Sequence, residues 1–319
     1  MSRGAAGIGL EPVEARLPFP ARLPYGARRR LFLVLMAAPA VLYVLAIGVW
    51  PLLRGVGYSL YDFNLLRPAR AHFVGLGNYA DILTDPVSRQ AFLNTAIFTV
   101  GAVAGELVLG FAIALALWRD DRFNRVCLAL ILIPVTITPL VVGLIFRALL
   151  MPDYGLVGYY LAEFGLSGPH GLLAYGPTAM ATLIFIDVWE WTPLMALIML
   201  AGLKALPLDI LEAAEVDGAS AWLRLRIVVL PLVAPSILLA LTLRVIDAFR
   251  VFDIVYVTTG GGPGEATNTL MLHAVKQGLE FFNIGRASAI GNLTLLCIAL
   301  MAAVFLRMFR AADNQAHGR

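Results

Sequence analysis

The sequence predicts an all-α polytopic membrane protein that crosses the bilayer six times. Three observations carry that prediction. Of 319 residues, 60% are hydrophobic and only 14% are charged, too apolar for a water-soluble fold. The apolar residues fall in runs of roughly 20, the length of helix that spans the hydrocarbon core. Arg and Lys gather in alternate connecting segments, which marks those segments as cytoplasmic. The formal net charge of +3 is small and does not suggest nucleic acid as a partner.

Residues 1–27, rich in Ala, Pro and Arg, read as a mobile tail ending in a short surface helix. No signal peptide with a small-residue cleavage site is present, so the first apolar run reads as an uncleaved anchor. Arg28, Arg29 and Arg30 precede that run, Leu31 to about Leu53, and fix its start as cytoplasmic. Helix two is expected from about Asn94 to Leu117. Arg119, Arg122 and Arg125 crowd the short loop after it, which must lie inside. Helix three, about Val126 to Leu150, is interrupted by Pro134 and Pro139. Segment 151–176 carries Asp153 and Glu163 but no Lys or Arg, and faces outward. Helix four covers about Pro177 to Leu203. Helix five begins near Pro231, because Pro231 limits how a helix continues through it, and runs to about Val257. Thr258–Pro263 turns the chain outside, and helix six covers about Ala287 to Met308. Arg307, Arg310 and Arg319 then place the C-terminus inside. The domain reading is a cytoplasmic tail 1–30, a six-helix membrane domain 31–310 and a cytoplasmic tail 311–319.

Ionisable side chains inside a membrane helix cost about 2.5–3.5 kcal/mol each on insertion scales, so they face protein or water. In helix four, Asp187, Glu190 and Trp191 share one face at i, i+3 and i+4. In helix five, Arg244, Asp247, Arg250 and Asp253 recur every three residues, forming a ridge that slants around the helix. Carboxylates that accept from hydroxyls and aromatic faces that stack on a ring are sugar-binding chemistry, and Asp187, Glu190, Trp189 and Trp191 supply both. Interhelical salt bridges are the competing reading, and for Arg250 and Asp253 the favoured one. His72, His170, His273 and His317 read as solvated residues of outer segments and the C-terminal tail. No G-x-x-x-x-G-K-[ST] run occurs, so the chain is not expected to bind ATP; H-E-x-x-H and G-x-S-x-G are also missing.

Between helices four and five lies a polar island, Glu212–Pro235. Its Ala-rich start favours a short helix, Gly218 can turn the chain, and such a knob at the membrane surface suits docking of a soluble partner. Glu212, Ala213, Ala214, Asp217, Gly218, Ala219, Trp222, Leu230 and Pro231 match, in register, the EAA loop of ABC-importer permeases. Leu225 departs from it, since many members carry Phe there. Phe73, Gly75, Leu76, Asn78 and Tyr79 match the FxGLxNY segment of the carbohydrate-uptake branch. Trp189, Pro193, Met195, Leu197, Ile198, Leu200, Ala201, Gly202, Leu203 and Pro207 match its WxxxPxMxLIxLAGLxxxP pattern. The chain thus resembles MalF/UgpA-type permeases over residues 31–310.

The resemblance implies a type I ABC importer permease fold and transport of a disaccharide or oligosaccharide across the inner membrane. It implies ATPase coupling through Glu212, Ala213, Ala214, Asp217, Gly218, Leu225 and Pro231, within a coupling loop 212–231. The substrate-facing set is Asp187, Glu190, Trp191, Arg244, Asp247, Ala248 and Val251, at positions where several polar residues of the maltose site are replaced. Implied partners are a MalG-like second permease, two cytosolic ATPases that bind ATP and Mg, and an extracytoplasmic solute-binding protein. No catalytic, metal or cofactor site is expected in this chain. Glycerol-3-phosphate or another anionic polyol is an alternative substrate. Membrane-embedded acid–base chemistry on Asp187 and Asp247, or a scaffold without transport, are alternatives of other classes.

Overall fold

A computed structural model describes residues 25–168 and 170–316. The readings made for residues 1–24, His317 and Arg319 lie outside the described residues. In chain order the helices are α1 (Tyr25–Tyr43), α2 (Trp50–Ser59), α3 (Gly77–Thr84), α4 (Pro86–Ala116), α5 (Arg122–Ile131), α6 (Pro139–Leu150) and α7 (Leu156–Glu163). They continue with α8 (Gly176–Lys204), α9 (Leu208–Val216), α10 (Ala221–Arg224), α11 (Leu230–Phe249), α12 (Asp253–Thr258), α13 (Leu270–Val275) and α14 (Ile284–Ala316). One antiparallel ribbon, β1 (Tyr61–Asp62) with β2 (His72–Phe73), interrupts them.

Five of the described helical stretches are long and apolar enough to cross a membrane: Arg29–Ser59, Pro86–Ala116, Gly176–Lys204, Ala221–Phe249 and Ile284–Phe309. The third expected crossing is broken. Its pieces are α5, a 3-10 turn at Pro134–Thr136, and the shorter apolar helix α6. Each proline lacks the N–H that an unbroken helix requires, so the two prolines set the breakpoints. The chain divides after Arg54 into two units. In the first, Phe32, Met36, Leu42 and Ile47 point outward around the helix, and an all-round apolar surface is that of a span in lipid.

The second unit is organised by α4 and α8. Gly101, Gly105 and Gly110 lie against Ile184, Val188 and Met195 in turn, so the two helices run parallel and in close contact. Without a hydrophobic drive between helices in lipid, small residues that let backbones approach supply the packing. A Cβ at Gly110 would stand 2.9 Å from the Met195 Cβ and 3.1 Å from the Ala196 nitrogen. Gly110→Leu is therefore expected to cost about 1–3 kcal/mol by overpacking, read as a lower melting temperature in detergent. Helix α11 closes this pair on the other side, Ala240 and Val233 meeting Met199 and Leu203 in one buried cluster.

Several expected boundaries move. Helix α4 starts eight residues before Asn94, because Asp85 caps it and accepts from the Ser88 N–H at 3.0 Å, with Pro86 as its first residue. The helix of the fifth crossing does not begin at Pro231 but runs unbroken from Ala221 to Phe249. A π turn at Leu225–Val229 precedes the proline. The wider turn absorbs the missing N–H and the ring that would strike the carbonyl four residues back. At its other end the helix stops at Phe249, and Asp253 opens α12, so the ridge from Arg244 to Asp253 is split between two helices.

The FxGLxNY segment is a structural clasp. Asn78 donates to the carbonyls of Ser59 (2.8 Å) and Tyr61 (2.9 Å), while the Tyr79 hydroxyl bonds to Ser59 Oγ (2.8 Å) and accepts from Asn292 (3.1 Å). It pins the ribbon and α3 to α14.

Candidate functional site

The charges expected on two helices converge on one guanidinium. Arg244, 1% exposed, donates Nε and Nη2 to the two carboxylate oxygens of Glu106, each at 2.7 Å. Nη2 also reaches Asp187 and Nη1 reaches Asp247, again at 2.7 Å each. The guanidinium carbon lies 4.7 Å from the centre of the Trp191 ring. Arginine suits this position, since its planar fork serves several carboxylates while its face stacks on an indole. Glu106, fully buried on α4, was not singled out from the sequence. A lone acid in the apolar run 94–117 was the available signal.

Beside this cluster a cavity of about 430 Å³ is lined by Asp187, Trp191, Asp247, Ala248 and Val251, five of the seven positions expected to face substrate. Pro139, Arg250, Phe252, Asp253, Ile254 and Met271 complete its wall. The break after Phe249 makes this wall, because a continuous helix would carry Arg250–Phe252 onward instead of around the cavity. Arg250 pairs with Asp247 at 2.9 Å, but within the end of its own helix at i,i+3 and not between helices as expected. Asp253, which was expected to pair likewise, is exposed and forms no salt bridge among the described residues. The remaining two positions stay out of the cavity wall. Arg244 is saturated by carboxylates, and Glu190 is fully buried with neither carboxylate oxygen hydrogen-bonded. Trp189 also turns away, its ring edge-on to Phe146 at 5.3 Å.

His273 departs from the solvated reading. It is 3% exposed, because α13 packs into the angle between α4 and α14. Its Nε2 lies 3.1 Å from Ser88 Oγ, which donates to Asp85 at 2.7 Å, and Asp85 pairs with Arg286 at 3.1 Å. Burial, and then the nearby Arg286 charge, hold the imidazole below its ordinary value. Burial raises the Asp85 carboxyl, but Ser88 hydrogen bonds and Arg286 outweigh it and leave the group below the usual range. For both groups the unfolded chain takes up protons first as pH falls, so stability is lost on acidification. Melting temperature should fall below about pH 6.5, where free histidine titrates, and His273→Gln should flatten part of that dependence.

The polar island forms a projecting helix–turn–helix. Helix α9 ends at Val216, Gly218 turns the chain at φ +78°, and the Ser220 hydroxyl accepts from the Leu223 N–H to start α10. Arg224 pairs with Glu215 across the turn. Glu212, Ala213 and Asp217 are exposed, Ala214 half-buried, and Leu225 packs with its helix into the core beneath. Val216 (88% exposed) and Trp222 (69%) stand in the open on either side of the turn. Pro231 lies behind, in the first turn of α11.

Residues 106–314 match the family described as binding-protein-dependent transport system inner membrane component. The trehalose transport system permease protein SugA of Mycobacterium tuberculosis is 37% identical over 286 residues, 90% of this chain and 91% of that protein. The trehalose/maltose transport system permease protein MalF of Thermococcus litoralis is 36% identical over 86% of this chain and 92% of its own length. The sn-glycerol-3-phosphate transport system permease protein UgpA of Agrobacterium fabrum is 29% identical over 89% of this chain and 95% of its own length. Among solved structures, a chain of a bacterial ABC transporter involved in alginate import superposes with a TM-score of 0.76 at 18% identity, covering 90% of this chain and 97% of that one. The chain belongs to the binding-protein-dependent transport system inner membrane components and is a multi-pass permease subunit of an ABC importer.

Proposed function

We propose that the substrate is a neutral sugar, of disaccharide or oligosaccharide size, which passes through the cavity at Trp191 and Asp253. The observation that carries this reading is the charge balance of the cavity wall. Asp253 faces it without a salt bridge among the described residues, Asp187 and Asp247 accept from Arg244, and both cations, Arg244 and the exposed Arg250, are engaged by carboxylates. Carboxylate acceptors beside an indole face suit hydroxyl-rich rings, while an anionic polyol would meet a wall of like charge. The volume lies within the ~300–1,000 Å³ typical of ligand sites. Trehalose and maltose transport by relatives 36–37% identical supports the same class.

In this reading the complex holds a second, MalG-like permease, two cytosolic ATPases that bind ATP and Mg, and an extracytoplasmic solute-binding protein. Both termini are cytoplasmic. Closure of the ATPases moves α9 and α10, and the cavity changes sides by alternating access. Membrane-embedded acid–base chemistry is not favoured, since Asp187 and Asp247 both bind the one guanidinium.

Asp253 tests the cavity. Hydrogen bonds to a charged group are worth about 1.5–3 kcal/mol, so Asp253→Asn should lower the maximal uptake rate ~10–100-fold with protein yield unchanged. Uptake by this variant at the wild-type maximal rate would remove the cavity from the transport path.

A further inference from the structure

We infer that Glu190 is the alternate acceptor for Arg244, occupied when the permease leaves the conformation seen here. Glu190 is fully buried, yet both of its carboxylate oxygens lack a hydrogen-bond partner. A buried acceptor without a donor is costly and in native proteins has a reason. The donor is one step away. Arg244 holds Asp187, and Glu190 follows Asp187 at i+3 on the same face of α8. The guanidinium already stacks on Trp191, the residue next to Glu190. Sliding α11 along α8 by three residues, about 4.5 Å at 1.5 Å per residue, carries Nη2 from Asp187 to Glu190. Nη2 gives up its bonds to Asp187 and to Glu106 Oε1, the Nε bond to Glu106 Oε2 serves as pivot, and Asp247 travels with Arg244 on its own helix.

Such a device gives two discrete registers with comparable pairing. Packed helices move between states by steps of this kind, because interdigitated interfaces are bistable. The inference rests on the permease assignment and is independent of which substrate is carried. Glu190 acts here as a positioning residue, through Arg244, and does not touch substrate.

The test uses the whole reconstituted transporter with Cys127 and Cys297 replaced by Ala and spin labels at Ala205→Cys and Ile227→Cys. These positions are exposed and sit at the ends of α8 and of the helix leading into α11. Distance distributions are read by electron–electron resonance, nucleotide-free and trapped with ATP and vanadate. The wild type should show two populations separated by about 4–5 Å along the helix axes. Glu190→Gln should lower the shifted population by about threefold or more, and Asp187→Asn should raise it. Both substitutions keep shape, and a merely structural role for the two acids would move the populations in the same direction or leave them unmoved. Either of those results, or a single population in the wild type, would overturn the inference.

Discussion

Arg244→Met is expected to prevent accumulation of folded permease. The substitution leaves Glu106 and Asp187, both almost fully buried, with no cation, and Asp247 with Arg250 alone. Breaking a buried ion pair by removing one partner costs about 3–5 kcal/mol, against a total stability of about 5–15 kcal/mol for a typical protein. Here one side chain serves three partners from three helices, so the loss falls on the contacts among α4, α8 and α11 together. Arg244→Lys should rescue only in part, because an ammonium is a point donor without the planar fork that holds Glu106 with two bonds. Glu106→Gln added to Arg244→Met should recover some yield by removing one orphaned charge. Membrane yield and melting temperature in detergent check all three. A merely substrate-binding Arg244 would leave both quantities unchanged and lower only uptake.

Gly218→Val should give the opposite pattern, normal folding with lost coupling. Gly218 has φ +78°, and nothing lies within 4 Å of where a Cβ would stand, so the penalty is backbone strain alone. A left-handed residue with a side chain costs roughly 1–2 kcal/mol, more for a β-branched one. Reorienting the turn relieves that strain and swings α9 against α10. Membrane level should stay near wild type, while ATP-driven uptake falls by about tenfold, a 1.4 kcal/mol effect. Gly218→Asn should be milder, since asparagine tolerates the left-handed region. Uptake by Gly218→Val at the wild-type rate would show that the turn geometry does not transmit the stroke.

The apolar runs located the five described helices long enough to cross a membrane, because helix length in lipid is set by bilayer thickness, but not the break in the third expected crossing. Boundaries were less legible where sequence signals opposed each other. Pro231 suggested a start, yet the π turn before it lets the helix pass through. The Asp85-Pro86 cap lies outside the apolar run, so the hydropathy pattern carries no trace of it. In the site, the i, i+3, i+4 spacing placed Asp187 and Trp191 together correctly. It did not show that Arg244 is enclosed, because its main partner, Glu106, sits 138 residues away on another helix. Nor did it show Glu190 turned inward, since residues sharing a helix face still divide between cavity and core. The helix–turn–helix was the most legible feature, as its glycine, cap and exposed apolar residues are all local.

Transport of a neutral sugar under ATP control is the role proposed for this permease. The most direct measurement is uptake into proteoliposomes holding the chain with its co-purified permease, ATPases and solute-binding protein. Uptake of a neutral disaccharide that requires both ATP and the loaded binding protein, and that is lost in Glu212→Ala, is the predicted result. Uptake of a phosphorylated polyol in preference to any neutral sugar, or uptake indifferent to ATP, would exclude that role.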